Sequence, residues 1–105
     1  MTLKNISAVE AHALLDQNAV LVDVREPYEQ AAERIPGSIE LPLSQLALGV
    51  PANLPEGRTP IFLCASGMRT SRNAVALAGI AGVPAYNLSG GIMAWKQAGL
   101  PTNRG

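Results

Sequence analysis

Cys64, the only cysteine among 105 residues, stands where a short apolar run meets a glycine-containing loop. An Ala/Leu-rich stretch with helical character follows at once, so the thiol is expected where a strand ends and a helix begins. Loop N–H groups and a helix N-terminus both favour an anion at such a junction. Because the thiolate is the reactive form of cysteine, the sequence indicates a candidate nucleophile in suitable surroundings.

The rest of the loop supplies what a thiolate needs. Gly67 lets the backbone curl, since glycine adopts angles that other residues resist. Arg69 adds a fixed positive charge near the predicted helix start, which Thr70 or Ser71 can cap. We expect the loop itself to hold the sulfur, with these residues as its binding set: Ala65, Ser66, Gly67, Met68, Arg69 and Thr70.

A Cys-His hydrolase is the obvious rival, but it needs a base. The one histidine, His12, falls on the more polar side of the first predicted helix, where we expect it to be solvated. Nucleophilic catalysis without a histidine works when the loop ionises the sulfur. Sulfur-atom transfer fits this pattern, because a thiolate attacks a sulfane sulfur, becomes a persulfide and passes the outer sulfur on. One cysteine cannot build a Cys-based metal site, and we expect no cofactor.

The composition indicates a single domain over residues 1–105. Hydrophobic residues make up 48% of the chain and charged residues 15%, which fits a domain buried on several faces. No apolar run approaches the roughly 18 residues of a membrane span, and residues 1–5 show no signal-peptide core. There is no dense basic cluster, so we expect no nucleic-acid binding. We expect a cytoplasmic protein with no membrane partner.

The zero net charge hides an asymmetry between the two halves of the sequence. All 8 carboxylates precede residue 57, whereas every charged residue after it is a cation: Arg58, Arg69, Arg72, Lys96 and Arg104. One interpretation is that the cationic half favours a sulfur anion, or an anionic substrate, near Cys64. The other is that the fold pairs these cations with carboxylates of the first half. The sequence supports the two equally.

Local patterns predict alternating helices and strands. Ser7 and Glu10 form a capping-box pattern for a first helix that ends near residue 17, and Pro27 favours a helical turn. Apolar runs predict strands at 20–24, 38–41, 61–63 and 85–88. Further helices are predicted over 43–48, 70–81 and 92–97, the second of them ending at Gly82. This alternation predicts an α/β fold with a mostly parallel sheet.

Three predicted strands lead into segments that could share one rim of the sheet. These segments begin at Asp23, Cys64 and Ser89, and open α/β sheets bind ligands outside the carboxyl ends of their strands. Asp23 and Arg25 could pair there and brace the loop, or they could be ordinary strand-end charges. We expect Trp95 in the core and Met68 at the mouth of the site.

Four motifs in order resemble those of a single-domain rhodanese, a sulfurtransferase, over about residues 6–101. They are Asp23-Val24-Arg25-Glu26 with Glu29, Ile35-Pro36-Gly37-Ser38, the active loop from Cys64 to Thr70, and Leu88-Ser89-Gly90-Gly91 with Trp95. One departure is Glu33-Arg34, where the family usually has Gly-His before Ile-Pro-Gly. The resemblance implies a rhodanese-like α/β fold with a mostly parallel central sheet of about five strands flanked by helices.

The resemblance also implies that Cys64 carries a persulfide. The protein would move sulfane sulfur from a small anionic donor such as thiosulfate, or from a protein persulfide, to cyanide or a thiol. A non-catalytic or regulatory rhodanese-like binding module is one alternative. A cysteine phosphatase is another, but such enzymes place one more residue between cysteine and arginine than the four that separate Cys64 from Arg69. The loop is therefore short for wrapping a tetrahedral phosphate.

Overall fold

Helices and strands alternate along the chain in this computed structural model, which describes residues 2–104. The strands are β1 (Lys4–Ile6), β2 (Ala19–Asp23), β3 (Ile39–Glu40), β4 (Thr59–Leu63) and β5 (Tyr86–Leu88). The helices are α1 (Ala8–Leu14), α2 (Pro27–Ala32), α3 (Leu43–Ala47), α4 (Met68–Arg72), α5 (Ala74–Ala81) and α6 (Gly91–Gln97), with a 3-10 turn at Leu15–Gln17. Within residues 2–104, none of the helices has the length and apolar character needed to cross a bilayer.

The five strands form one parallel sheet in the order β1-β5-β4-β2-β3. The central strand, β4, pairs with β2 along its whole length, so that Leu21 lies opposite Ile61. On its other side β4 pairs with β5, and Ile61 lies opposite Tyr86. The predicted parallel α/β sheet is confirmed. Its central strand is the one that leads directly into Cys64.

The sheet buries apolar side chains on both faces, as expected for a parallel sheet covered by helices. On one face Ile61 and Leu63 of β4 pack with residues of α1 and α6, including Trp95. On the other face Phe62 and Cys64 pack with residues of α5 and α3. Successive side chains of a strand point to opposite faces, so the alternation places the Cys64 side chain on the α5 side.

Local sequence signals account for three of the helix ends. Ser7 and Glu10 form the predicted capping box, with N–H to oxygen distances of 2.9 and 3.1 Å. Pro27 is the first residue of α2. Gly82 ends α5 with a φ of +65°, a conformation that glycine adopts readily, and its N–H donates to the Ala78 carbonyl at 3.1 Å. These three predictions are confirmed.

Two elements differ from the sequence prediction. The single helix predicted over 70–81 is wrong, because the chain forms α4 and α5 with a break at Asn73. The Asn73 side-chain amide donates to the Arg69 carbonyl at 2.7 Å, and the Asn73 backbone N–H donates to the same oxygen at 3.1 Å. Such local side-chain bonds to the preceding turn are unfavourable to a regular helix interior. The edge strand β1 was not predicted, because only three residues form it and the first two, Lys4 and Asn5, are polar and exposed.

Candidate active site

The candidate loop begins at the carboxyl end of β4 and leads into α4. Gly67 has a φ of +92°, in the left-handed region, and caps the start of α4. A Cβ atom at this position would lie 3.1 Å from the Gly90 nitrogen, so the backbone approaches the turn after β5 closely. The loop and the segment that begins at Ser89 therefore meet on one rim, as the sequence predicts.

The Cys64 sulfur lies inside the curl of this loop. The Gly67 N–H donates to Sγ at 3.1 Å, and the Thr70 hydroxyl oxygen lies 3.6 Å from Sγ. The same hydroxyl is also 3.1 Å from the Gly67 carbonyl oxygen. A hydroxyl has one proton, so it can donate either to this carbonyl or to the sulfur. Ionisation of Cys64 favours the second arrangement, because charge-assisted hydrogen bonds are the stronger ones.

The loop lowers the pKa of the Cys64 thiol. Burial alone raises this pKa, because the thiolate is costly in a dry environment. Hydrogen bonds from the N–H and hydroxyl of Thr70, and from the N–H groups of Gly67 and Arg69, outweigh that cost. The net shift favours the thiolate, which is the form that can act as a nucleophile.

Cys64 is fully buried, with 0% of its surface exposed, and Thr70 beside it is buried to the same extent. The predicted loop residues differ in this respect, since Met68 is 58% exposed and Ser66 is exposed as well. Solvent therefore has no direct access to the sulfur in this conformation. A closed site of this kind excludes water from the sulfur.

The start of α6 clamps the loop from the other side. The N–H groups of Ile92 and Met93 donate to the carbonyl oxygens of Cys64 and Ala65 at 2.9 and 3.1 Å. Gly91 makes this approach feasible, because a Cβ atom there would lie 2.2 Å from the Cys64 carbonyl oxygen. The backbone position of Cys64 is thus set by both β4 and α6.

Arg69 is paired with a carboxylate of the first half of the chain. Its two terminal nitrogens donate to the two carboxylate oxygens of Glu29 at 2.6 and 2.8 Å. This bidentate pair raises the pKa of Arg69 and lowers that of Glu29. The loop therefore carries the expected cation, but the Glu29 carboxylate largely neutralises its charge.

Other cations of the second half are paired in the same way. Lys96 lies 2.7 Å from a carboxylate oxygen of Glu33, and Arg104 lies 3.8 Å from the other. Together with Arg69 and Glu29, these contacts agree with the pairing interpretation for three of the five cations. Among the described residues, Arg58 donates instead to the Ala19 carbonyl, and no carboxylate pairs with Arg72. Arg69, Lys96 and Arg104 are therefore not free positive charges that could act on Cys64.

Asp23 and Arg25 form a buried ion pair at the end of β2. The nitrogen and oxygen atoms are 2.9 Å apart, and Arg25 also donates to the Glu33 carbonyl at 2.7 Å. The Asp23 carbonyl accepts a hydrogen bond from the Gln30 amide at 3.1 Å. These bonds hold the C-terminal half of α2, the helix that carries Glu29.

His12 is exposed and lies against Trp95, with ring centroids 5.7 Å apart. Trp95 is buried on the face of the sheet that α1 and α6 cover, whereas the Cys64 side chain lies on the opposite face. The predicted core position of Trp95 is confirmed. His12 does not face the sulfur, so the structure gives no support to a Cys-His pair.

Sequence reasoning missed the part that Glu29 plays in the site. Glu29 was noted only as part of a motif, although its carboxylate holds Arg69 and also accepts the Glu26 N–H at 3.1 Å. The bond from the Glu26 N–H has a local signal in the sequence, because an acidic residue in the first turn of a helix often forms a capping box. The first bond spans 40 residues of sequence and leaves no local signal.

A family model described as Rhodanese-like domain matches residues 7–98. The chain belongs to this family. A rhodanese-related protein from Thermoplasma volcanium, 28% identical in sequence, has a similar solved structure with a TM-score of 0.77. The similarity covers 95% of this rhodanese-like chain and 97% of that one. The expected rhodanese-like fold, with five parallel strands flanked by helices, is confirmed.

Two curated relatives extend the comparison. The uncharacterized protein slr1261 of Synechocystis sp. is 50% identical over 94 residues, which are 85% of this rhodanese-like chain and 50% of that protein. The chain thus spans half the length of that relative. A protein of Allochromatium vinosum named Sulfurtransferase is 33% identical over 85 residues, covering 81% of this chain and 78% of that protein. Of these two relatives, only the second carries a name that states an activity.

Proposed function

We propose that this chain is a sulfurtransferase in which Cys64 carries sulfane sulfur as a persulfide. The observation that carries the proposal is the convergence of hydrogen bonds on Sγ, led by the Gly67 N–H at 3.1 Å. These bonds lower the pKa of the thiol and so supply a thiolate. Membership of the rhodanese-like domain family agrees with this chemistry.

The reaction divides into two displacements at sulfur. With thiosulfate as donor, the Cys64 thiolate attacks the outer sulfur, the donor S–S bond breaks, and its electron pair leaves with sulfite. Cys64 then carries the transferred sulfur as a persulfide anion. In the second step cyanide or a thiolate attacks that outer sulfur and the Cys64 thiolate leaves. Electrons balance without an external oxidant or a cofactor.

The loop residues have the following roles in this proposal. The backbone N–H groups of Gly67, Arg69 and Thr70 stabilise the thiolate and then the persulfide anion, as oxyanion-hole donors stabilise a developing oxyanion. The Thr70 hydroxyl supplies a further donor at 3.6 Å from Sγ. Ser66 and Met68 are exposed and meet the incoming substrate, and Arg69 sets the charge beside it.

Asp23 and Arg25 support the site indirectly. Their ion pair and the bond from Arg25 to the Glu33 carbonyl fix α2, and α2 places Glu29 against Arg69. We propose the cytoplasm as the location, because a lone cysteine kept as a reactive thiol suits a reducing compartment. The proposed partners are a small sulfur donor or a protein persulfide, and a thiol or cyanide acceptor.

The complete burial of Cys64 favours a second candidate, a rhodanese-like binding module without turnover. A sulfur that stays closed would serve only the packing of the loop. The two functions differ in whether Cys64 accepts sulfur from a donor. This is a direct measurement on the intact chain.

Intact-mass spectrometry after incubation with thiosulfate tests the proposal. We expect an added mass of one sulfur atom that cyanide or a reductant removes. Cys64→Ser should lose both this adduct and all turnover, while Lys96→Ala, at an ion pair remote from the sulfur, should keep both. Absence of an adduct on the unmodified chain with thiosulfate, a thiosulfonate and a persulfide would favour the binding module. Turnover that persists in Cys64→Ser would refute Cys64 as the carrier.

A further inference from the structure

The only cation of the active loop is occupied from within the molecule. Both terminal nitrogens of Arg69 bind Glu29, and the Glu29 side chain is only 19% exposed. The carboxylate is also held by the Glu26 N–H at 3.1 Å, so it is fixed on α2 and does not swing freely in solvent. The guanidinium of the loop arginine is therefore already paired before any anion binds.

This arrangement affects donors according to their charge. Thiosulfate is a dianion, and it has to approach a thiolate while the nearest loop cation is neutralised by Glu29. Methanethiosulfonate has nearly the same shape, but a methyl group replaces one charged oxygen, so it carries one negative charge fewer. Charges a few ångströms apart interact even in bulk water, and more strongly near a protein surface. The two donors thus differ in the property that Glu29 controls.

We propose that Glu29 selects the donor class by occupying Arg69, so that Cys64 favours sulfane-sulfur donors carrying at most one negative charge over dianionic thiosulfate. The proposal rests on the sulfurtransferase function above. Thiol persulfides, R–S–SH, meet this charge requirement when R is uncharged. Their reaction is balanced, since the Cys64 thiolate takes the outer sulfur, the S–S bond breaks, and the electron pair leaves with the thiolate R–S⁻. With methanethiosulfonate the leaving group is methanesulfinate.

Donor kinetics on the intact chain form the first test. We expect the unmodified protein to show a higher kcat/KM with methanethiosulfonate than with thiosulfate. Glu29→Gln should reduce this preference roughly threefold, the size of effect that a partly exposed ion pair carries. The improved use of thiosulfate by Glu29→Gln should appear as a lower KM. The reason is that a freed guanidinium binds this donor equally in the ground state and in the transition state. Glutamine keeps an oxygen that can accept the Glu26 N–H, so α2 should still form.

Glu33→Gln is the matched control. The Glu33 side chain is also 19% exposed and is also ion-paired, but its partners are Lys96 and Arg104 and not the loop arginine. The substitution removes the same charge from the protein. The donor preference of Glu33→Gln should equal that of the unmodified chain. An equal change in both variants would show that only net charge matters and would overturn the proposal.

Alkylation of Cys64 gives a second readout that needs no turnover. Iodoacetate and iodoacetamide have similar shapes, and only the first is an anion. The rate of Cys64 alkylation by iodoacetate, divided by the rate with iodoacetamide, should rise roughly threefold in Glu29→Gln. The same ratio should stay constant in Glu33→Gln. In an Arg69→Gln background, Glu29→Gln should no longer raise the ratio, since a double-mutant cycle isolates an effect transmitted through Arg69.

The outcomes separate the two proposals. A ratio that Glu29→Gln leaves unchanged, or that rises equally in the Arg69→Gln background, would refute the role of Glu29 whatever the enzyme activity. Failure of the unmodified chain to accept sulfur from any donor would instead refute the sulfurtransferase function. A preference for thiosulfate in the unmodified chain would also contradict the role proposed for Glu29.

Discussion

Two regions of the molecule are bound to α2 by similar ion pairs. In one region the cation belongs to the active loop, and in the other it lies near the C-terminal segment. At the first turn of α2, Glu29 binds Arg69 of the active loop at 2.6 Å. Just beyond its end, Glu33 binds Lys96 at 2.7 Å and the Thr102 hydroxyl at 2.6 Å. We call these the loop region and the tail region. The same carboxylate chemistry adjusts the charge around a nucleophile in one and fastens the C-terminal segment in the other.

The tail region also explains the departure at Glu33-Arg34. Arg34 and Asn103 exchange backbone hydrogen bonds of 2.9 and 2.7 Å in an antiparallel bridge. Arg34 pairs with Glu40 at 2.8 Å as well. Glu33 and Arg34 therefore both bind the segment after α6 and hold it in place. Matched substitutions in the two regions can show which of them the sulfur chemistry depends on.

The largest expected effect comes from adding a methyl group at the clamp behind Cys64. Gly91→Ala places a Cβ atom 2.2 Å from the Cys64 carbonyl oxygen at a φ of +59°, and neither the oxygen nor the backbone can yield cheaply. We expect a loss of about 3 kcal/mol or more in the free energy of unfolding, as for other severe backbone clashes. Denaturant unfolding followed by circular dichroism measures this loss.

Gly99→Ala in the tail region is the control for that prediction. Gly99 also has a positive φ, of +76°, but nothing lies within 4 Å of the added atom. Its loss should be only about 1 kcal/mol, the cost of an alanine in the left-handed region. Equal losses in the two variants would show that the contact between α6 and the loop is not tight.

A smaller effect is expected from removing one hydroxyl beside the sulfur. Thr70→Val keeps the shape of a fully buried side chain but removes a donor to the thiolate. The pKa of Cys64 should rise, which leaves less thiolate at neutral pH. Because a hydrogen bond to a charged group contributes about 1.5–3 kcal/mol, iodoacetamide alkylation at pH 7 should slow roughly tenfold.

Thr102→Val removes a comparable hydroxyl from the tail region, where it donates to Glu33 at 2.6 Å. The alkylation rate of Cys64 should not change in this variant. A pH profile of alkylation for both proteins separates a change in pKa from a change in access. A slower rate with the same midpoint in Thr70→Val would count against Thr70 as a donor to the thiolate.

Arg69→Ala should have a more modest effect on the same thiol. It removes a cation and leaves the Glu29 carboxylate unpaired beside the loop, and both changes raise the pKa of Cys64. Since the pair is partly exposed, alkylation at pH 7 should slow by only about threefold. Lys96→Ala, which unpairs Glu33 in the tail region, should leave the rate unchanged. Equal slowing in the two variants would mean that the sulfur senses net charge alone.

Acid should weaken the ion pairs of both regions and so lower the free energy of unfolding. This is the smallest of the four expected effects. The hydrogen bond from Arg69 lowers the pKa of Glu29, and that from Lys96 lowers the pKa of Glu33. A carboxylate with a lowered folded-state pKa stabilises the fold above its unfolded pKa of about 4.3, and this contribution disappears as the pH falls through the folded value. For the Glu29 pair the loss should be about 0.2–1 kcal/mol.

Thermal unfolding between pH 7 and pH 3 measures this dependence. Glu29→Gln and Glu33→Gln should each flatten the curve, because glutamine does not titrate. Only Glu29→Gln should also alter the iodoacetate preference of Cys64. A curve that neither substitution flattens would show that these carboxylates have ordinary pKa values in the folded protein.

Local signals in the sequence were sufficient for the site backbone but not for its charges. The position of Cys64 between strand and helix follows from an apolar run, a glycine and a helical pattern, all within a few residues. The break at Asn73 was missed, because residues 70–78 contain no glycine or proline to mark it. The pairing of Arg69 with Glu29 joins residues 40 apart, and only the fold brings them together.

The placement of Cys64 after the central strand also bears on how a bound sulfur is protected. Strands at the edges of a sheet fray first, whereas amides in central strands exchange with solvent mainly through global opening. β4 has β5 on one side and β2 on the other, so its amides should be among the slowest to take up deuterium. The candidate nucleophile thus follows directly after the strand that we expect to open last. A persulfide held there would be shielded from reductants in bulk solvent for as long as the loop side chains stay in place.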